Sequence, residues 1–538
     1  MITIIHNAKI TTLDPQKPTA SAIAIDGGRI LLAGSDDAIL GEFAGQKNVS
    51  ESLDVGGRAV IPGLIDAHLH LEQYALGQEK VDCETSTRAE CIMRVSLRAS
   101  LLTPGQWLLG HGWNQNYWAE GFGKSLDLDA AAPQNPVYLT AKSLHAGWAN
   151  SAALTAAGIT AQSPDPSGGQ IGRDEQGNPT GILFESAMEL VQSVIPEPTD
   201  EYVAQAIQQA IQKLARMGLT GLHDFDRRRC FSALQLLHQR GDLSIRAVKS
   251  IPLEDLTYAA GIGLRTGFGD DFLRIGGIKA FADGALGPRT AAMIQPYDSE
   301  PENRGMLLLD AEEFFEHGRL AVDSGLAMAV HAIGDRANHE MLDAFTQLRR
   351  YEKGRRKEKS EEITQLRHRI EHVQLIHPED AGRLADLGII ASMQPIHAPS
   401  DMIMADRFWG KRSVSAYAWR MQLDFGATLA FGSDAPVESP NPFLGLHAAV
   451  TRRRTNGSPG PEGWYPAQRL SVWEAIQGFT HGPAFAAYME DRLGKLAPAY
   501  LADLLILSQD PFSCDPNEIK DIHPLATMVA GKWVFREI

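Results

Sequence analysis

The chain has 538 residues, 44% hydrophobic and 22% charged, an ordinary balance for a folded globular protein but too long for one small core. With 50 basic against 66 acidic side chains the formal charge is −16, which argues against nucleic acid or an anionic membrane as the main partner. Four scattered cysteines (Cys83, Cys91, Cys230 and Cys514) make no C-x-x-C pair, which argues against a cysteine-rich zinc module and suits a reducing compartment.

The first residues, MITIIHNAKITTLD, lack a basic stretch followed by an apolar one, and no run of about 18 apolar residues occurs. Neither a secretion signal nor a membrane span is expected, and the cytoplasm is the default compartment. Residues 1–58 are short apolar alternations broken by turns. ITIIHNAKI and AIAIDGGRILLAG, with Asp26-Gly27-Gly28 as a hairpin signal, predict a small β-sheet outside any barrel. Residues 59–72 read AVIPGLIDAHLHLE. Side chains two apart on a strand share a face, so His68 and His70 present both imidazoles the same way at the strand's end. Two convergent neutral imidazoles suit a divalent metal; two ordinary polar histidines are the plain alternative.

Beyond this, strand-like runs alternate with helical stretches, which predicts βα units and a parallel sheet. The candidate strands are 59–67, 219–223, 245–251, 274–282, 326–331, 368–373, 388–394 and 427–432. Eight of them predict an α/β fold closed as a (β/α)8 TIM-like barrel over 59–490. An open doubly wound sheet is the alternative. It usually carries a glycine-rich phosphate loop, and the sequence has no G-x-G-x-x-G, Walker A or G-x-S-x-G motif. Strands one and two lie about 150 residues apart, so roughly 72–195 reads as an inserted subdomain. It contains Trp107, Trp113, Trp118 and Trp148, which form either its own core or an aromatic lid over a pocket mouth. The charge run at 349–367 predicts a solvated helix end or loop. Over 491–538, LADLLILSQDP and LATMVAGKWVF repeat the texture of the first 58 residues, which predicts one β-sandwich drawing strands from both termini.

Chemistry in a (β/α)8 barrel sits at the C-terminal ends of the strands. Strand four ends IGGIKAFADGALG and holds Lys279; strand five ends LAMAVHAIGDRA with His331; strand six, RIEHVQL, holds His372; strand eight ends TLAFGSDAPV with Asp434. A single histidine at a strand end is ordinarily structural, so the force lies in the set. A buried lysine needs a carboxylate partner, an outward path or a chemical change. Reaction of its amine with carbon dioxide gives a carbamate anion whose two oxygens could bridge two metals. Lys249, in AVKSI, is the rival lysine.

IPGLIDAHLH resembles the first barrel strand of the amidohydrolase superfamily, and APAYLADLLIL and TMVAGKWVF resemble its closing strands. SLHAGWANSAAL, GGQIGRDEQGNPTGILFE and KAFADGALGPRTAAM resemble the third amidohydrolase family, which includes N-substituted formamide deformylases. The likeness runs over nearly the whole chain. It implies a metal-dependent hydrolase that cleaves a non-peptide C–N bond of a small amide-type molecule with metal-activated hydroxide. Two divalent ions, zinc by donor type, are expected about 3.5–4 Å apart. One would take His68, His70 and Asp434 and the other His331 and His372, with carbamylated Lys279 bridging and Asp434 shuttling the proton. Trp113, His145 and Arg289 fall in family-like motifs and are candidate substrate contacts; packing or a surface ion pair is the alternative for each. A homodimer is compatible with this reading. Other functions on the same scaffold are a deaminase, a lactonase or an ester hydrolase; outside enzymes, the alternative is a catalytically silent metal-binding regulator.

Overall fold

The run read as one strand over 59–67 is two strands in two different sheets. Ala59–Pro62 pairs antiparallel with Leu504–Leu507 in a six-stranded sheet, whereas Leu64–Leu69 starts the barrel. The break falls at Gly63, where a Cβ would lie 2.3 Å from Thr220 Oγ1, so the crossover backbone packs directly against the second barrel strand. The computed structural model describes every residue except 116–117, 143–144, 299 and 360–364, and of 356–359 the backbone alone.

The barrel strands are β1 (Leu64–Leu69), β2 (Leu219–Asp224), β3 (Arg246–Pro252), β4 (Leu273–Phe281), β5 (Met328–Ala332), β6 (Arg369–His372), β7 (Ile390–Met393) and β8 (Leu429–Phe431). They form one eight-stranded parallel sheet in chain order. The ring closes past the ends of β8 and β1. Asp434 N–H donates to His68 O at 2.7 Å, and His70 N–H donates to Ala435 O at 2.8 Å. Gly432 allows this closure, because a Cβ there would fall 2.5 Å from His68 N. Almost every residue of β1, β2, β6, β7 and β8 is buried, as a parallel sheet covered by helices requires.

Strands from both chain ends build two further sheets. A four-stranded sheet contains Ile2–His6, Ala22–Asp26, Arg29–Gly34 and Val49–Asp54. The six-stranded sheet combines Lys9–Thr11, Thr19–Ala20 and Ala59–Pro62 with Leu504–Leu507, Pro524–Val529 and Lys532–Arg536. One apolar cluster serves both, with Ile5, Ile23 and Ile25 against Val60, Leu504 and Ile506. Each such side chain contributes about 1.5–3 kcal/mol by leaving water. The charge run at 349–367 is not uniformly solvated. Helix Asp335–Lys359 takes its first part, where half-buried Arg349 pairs with buried Glu352 at 2.7 Å. Residues 360–364 of that run lie outside the described residues. Among the described residues no helix is long and apolar enough to cross a membrane.

Residues Ala75–Ala206 form a separate compact unit around a six-stranded sheet. Trp113, Trp118 and Trp148 are buried in its core, with the Trp113 and Trp148 rings edge to face at 6.4 Å. Their indole N–H groups donate to the carbonyls of Leu139, Thr85 and Lys124. Trp113 is fully buried, so its surroundings assign it packing rather than the substrate contact expected of it. Trp107 packs on a second cluster of the same unit. Asn116 and Tyr117 of the aromatic loop, and Ser143 and Leu144 of the SLHAGWANSAAL motif, lie outside the described residues. Trp113→Ala is expected to destabilise this unit by about 3–5 kcal/mol, read as a lower thermal midpoint.

Candidate metal centre

Five of the expected ligands come from the C-terminal ends of β1, β4, β5 and β6, and Asp434 lies three residues past β8. Strand register staggers them: His331 is level with Phe281, beyond Lys279, and His372 is level with Ala332, just beyond His331. The imidazoles gather tightly. His68 and His372 have ring centroids 4.8 Å apart, His331 and His372 4.6 Å, and His68 and His70 5.7 Å. Asp434 Oδ1 lies 3.5 Å from both His68 Nε2 and His70 Nε2. His372 and Asp434 both adopt positive φ, 77° and 61°. Such backbone costs on the order of 1–3 kcal/mol each and persists where its surroundings hold it, commonly at functional sites.

Each imidazole is anchored through one nitrogen, and the anchor decides which nitrogen remains for a ligand. His68 Nδ1 is 2.6 Å from Glu371 Oε2, and His70 Nδ1 is 3.1 Å from Asp226 Oδ1, which leaves Nε2 on both rings. His372 Nδ1 is 2.8 Å from Gln394 Oε1, which again leaves Nε2. His331 is reversed: its Nε2–H donates to Gly284 O at 2.9 Å, so its Nδ1 is the available donor atom. Ligand atoms of His68, His70 and Asp434 all lie within 4.8 Å of one another.

The two rival lysines have different surroundings. Lys249 is buried with Nζ 2.7 Å from Asp224 Oδ2 and also donates to Asp226 O. Burial pushes its pKa down, but Asp224 outweighs this and raises it. Asp224, Asp226 and Cys230 are spaced as a metal group could be, yet the Lys249 ammonium already pairs with Asp224 and the Asp226 carboxylate with His70. Lys279 is equally buried but has no hydrogen bond or ion pair among the described residues. Its Nζ stands 4.8 Å over the Phe225 ring and 4.8 Å over the Phe281 ring. Burial pulls its pKa down to about 8, against Glu371 and Asp434, which favour the ammonium.

The same electrostatics keep most of the imidazoles neutral, the state a metal needs. Burial, then the Lys279 charge, lower His68 to about 4 and His331 to about 3. His372 is also held well below its ordinary value, by burial and by His331. His70 goes the other way. Burial opposes its charge, but hydrogen bonds to Asp226 and Asp434 raise it to about 9. Burial pushes Asp434 up; the His70 hydrogen bond and the neighbouring imidazoles more than offset this and hold it well below the usual carboxylate range.

Sequence reading missed the groups behind these ligands. Glu371 is fully buried and pairs with both His68 and Arg369. Arg369 Nη2 also donates to Ala67 O at 2.7 Å, which ties β6 to β1 across the barrel. Asp66 accepts from the N–H groups of His68 and Ser433 at the closure, and burial raises its pKa to about 7. Asp283 accepts three backbone N–H groups, from Ala292, Ile333 and Gly334, and lies 3.6 Å from His331 Nε2. The available signal was local: Glu371 precedes His372, and Asp226 closes the run HDFD.

A cavity of about 460 Å³ adjoins the centre, with His70, Phe225, Asp226, Lys279 and Phe281 in its wall. That volume suits a small molecule. Arg289 does not line it; it pairs with Glu300 and stands 5.3 Å over the Phe408 ring. His145 belongs to the inserted unit, exposed and 3.0 Å from Glu185 Oε2.

Comparison with known proteins matches residues 51–535 to the model described as the amidohydrolase family. The protein LONG AFTER FAR-RED 3 of Arabidopsis thaliana is 33% identical, over 99% of this chain and 91% of that one. N-substituted formamide deformylase of Arthrobacter pascens is 29% identical, over 98% and 97%. The crystal structure of an uncharacterized metal-dependent hydrolase from Pyrococcus horikoshii OT3 superimposes with a TM-score of 0.78 and 28% identity, over 96% and 99%.

Proposed function

Because the chain belongs to the amidohydrolase family, we propose that it hydrolyses a non-peptide C–N bond of a small amide-type molecule at a centre of two divalent cations. The observation that carries this reading is the anchoring pattern: each of four imidazoles has one nitrogen held by Glu371, Asp226, Gly284 or Gln394, beside a buried lysine with no hydrogen-bond or ion-pair partner among the described residues. His68 Nε2, His70 Nε2 and Asp434 would hold one cation, and His331 Nδ1 and His372 Nε2 the other. Lys279, as its carbamate, would supply an oxygen to each. Zinc suits the nitrogen and oxygen donors. Cations held there supply Lewis acidity, which polarises a carbonyl and makes water a stronger acid.

The chain's own groups handle the protons. The water oxygen bonds to the carbonyl carbon, and Asp434, held ionised, accepts the proton released. The C–N bond then breaks, and Asp434 returns that proton to the leaving nitrogen. A carboxylic acid and an amine result, and the carboxylate is ready again. The name of the Arthrobacter pascens relative supports N-substituted formamides as the first substrates to try.

The test is zinc reconstitution followed by assay of N-substituted formamides, N-acyl amines, cyclic amides, lactones and amino-heterocycles, with metal counted per chain. Amine release from an amide with two ions per chain is the expected result. Turnover confined to lactones, or ammonia release from a ring with one ion per chain, would overturn it. Asp226→Asn tests the anchoring of His70, which stands 3.1 Å from that carboxylate. Zinc affinity should fall about 10- to 100-fold, measured by competition with a chelator.

A further inference from the structure

We propose that His397 is a further catalytic residue, whose Nε2–H donates a hydrogen bond to the scissile carbonyl oxygen as negative charge gathers on it. This rests on the hydrolase reading above. His397 opens the helix His397–Phe408, four residues beyond β7, and is 6% exposed. Gln374 Nε2 lies 3.3 Å from its Nδ1. An amide N–H can only donate, so with this amide orientation Nδ1 is the acceptor and the ring proton sits on Nε2.

That Nε2 has no hydrogen-bond partner among the described residues. It faces Asp434 Oδ2 at 3.9 Å, beyond hydrogen-bond reach. The ring runs nearly parallel to His372, 16° apart with centroids at 6.4 Å. Buried donors are almost always satisfied, so one left open beside the centre points to an occupant that arrives. A protonated nitrogen cannot ligate a cation, and Asp434 beside it is the group that accepts protons. The pair thus offers a donor and an acceptor side by side. That arrangement fits a carbonyl attacked by water: oxygen toward Nε2–H, water toward the carboxylate. No bond to His397 is made or broken.

The experiment uses the zinc-loaded full chain and its His397→Phe and His397→Gln variants. Both variants should keep the wild-type metal count. On a hydrolysed amide, KM should change little while kcat falls about 100- to 1,000-fold in the phenylalanine variant, the usual effect of deleting one such donor. The glutamine variant, with an amide N–H in reach, should recover part of the loss. Inorganic phosphate, a tetrahedral oxyanion, should bind the phenylalanine variant on the order of tenfold more weakly by calorimetry. In the wild-type chain a nitrogen-15 spectrum should show Nε2 protonated and Nδ1 bare, a measurement that needs no variant to fold. The opposite tautomer, a lost metal ion, or unchanged kcat and phosphate affinity would each overturn the proposal. If no amide is cleaved yet phosphate binding still weakens, the hydrolase reading fails and the donor role stands.

Discussion

Asp434→Asn should lower kcat by about 100- to 10,000-fold while both cations stay bound. Asparagine keeps the shape and an oxygen toward His68 and His70, each 3.5 Å from Oδ1, so ligation is weakened rather than removed. What it loses is the ability to take a proton from water and pass it on. The sign of the pH effect follows from the carboxylate's environment. Asp434 is held well below the ordinary carboxylate range, so it stays ionised, and competent as a base, throughout pH 5 to 8. An acid limb of kcat/KM in that window therefore belongs to other groups. Measuring kcat, metal content and the pH profile together decides the matter, and near-normal turnover in the asparagine variant would remove Asp434 as the proton shuttle.

The second large effect is expected at Lys279. Lys279→Ala should bring bound metal below two per chain and reduce turnover by on the order of 1,000-fold or more, because the proposed bridging anion would be lost along with the second cation's Lewis acidity. Millimolar acetate or propionate should restore part of both, since a carboxylate supplies two oxygens to the space left. Formation of the carbamate needs the neutral amine. With a pKa of about 8, that form is roughly one tenth of the population at pH 7 and roughly one hundredth at pH 6. Reconstitution with zinc and bicarbonate should therefore be faster at pH 8.5 than at pH 6.5. Bicarbonate independence, or a crystal with bare Nζ beside two bound ions, would defeat the bridging role.

The strand period placed His68 and His70 on one face from the sequence alone, and alternating βα runs located the eight strand ends where a barrel gathers its chemistry. Lys279, His331, His372 and Asp434 were legible for that reason: each lies at or just beyond a strand end, and position along the chain is all that such a reading needs. Which nitrogen of each imidazole stays available was not legible. The anchors come from strands far away in sequence, with Glu371 303 residues from His68 and Asp226 156 residues from His70. Lys249 and Lys279 look alike in sequence, and only the pairing of β2 with β3 sets Asp224 beside one, while Phe225 from the end of β2 joins Phe281 of its own strand around the other. The open Nε2 of His397 is likewise a product of packing, because a hydrogen-bond vacancy is a relation among distant groups. Local periodicity determined the strands and their end residues; long-range closure decided pairing, tautomer and charge, since those depend on neighbours that the chain order does not specify.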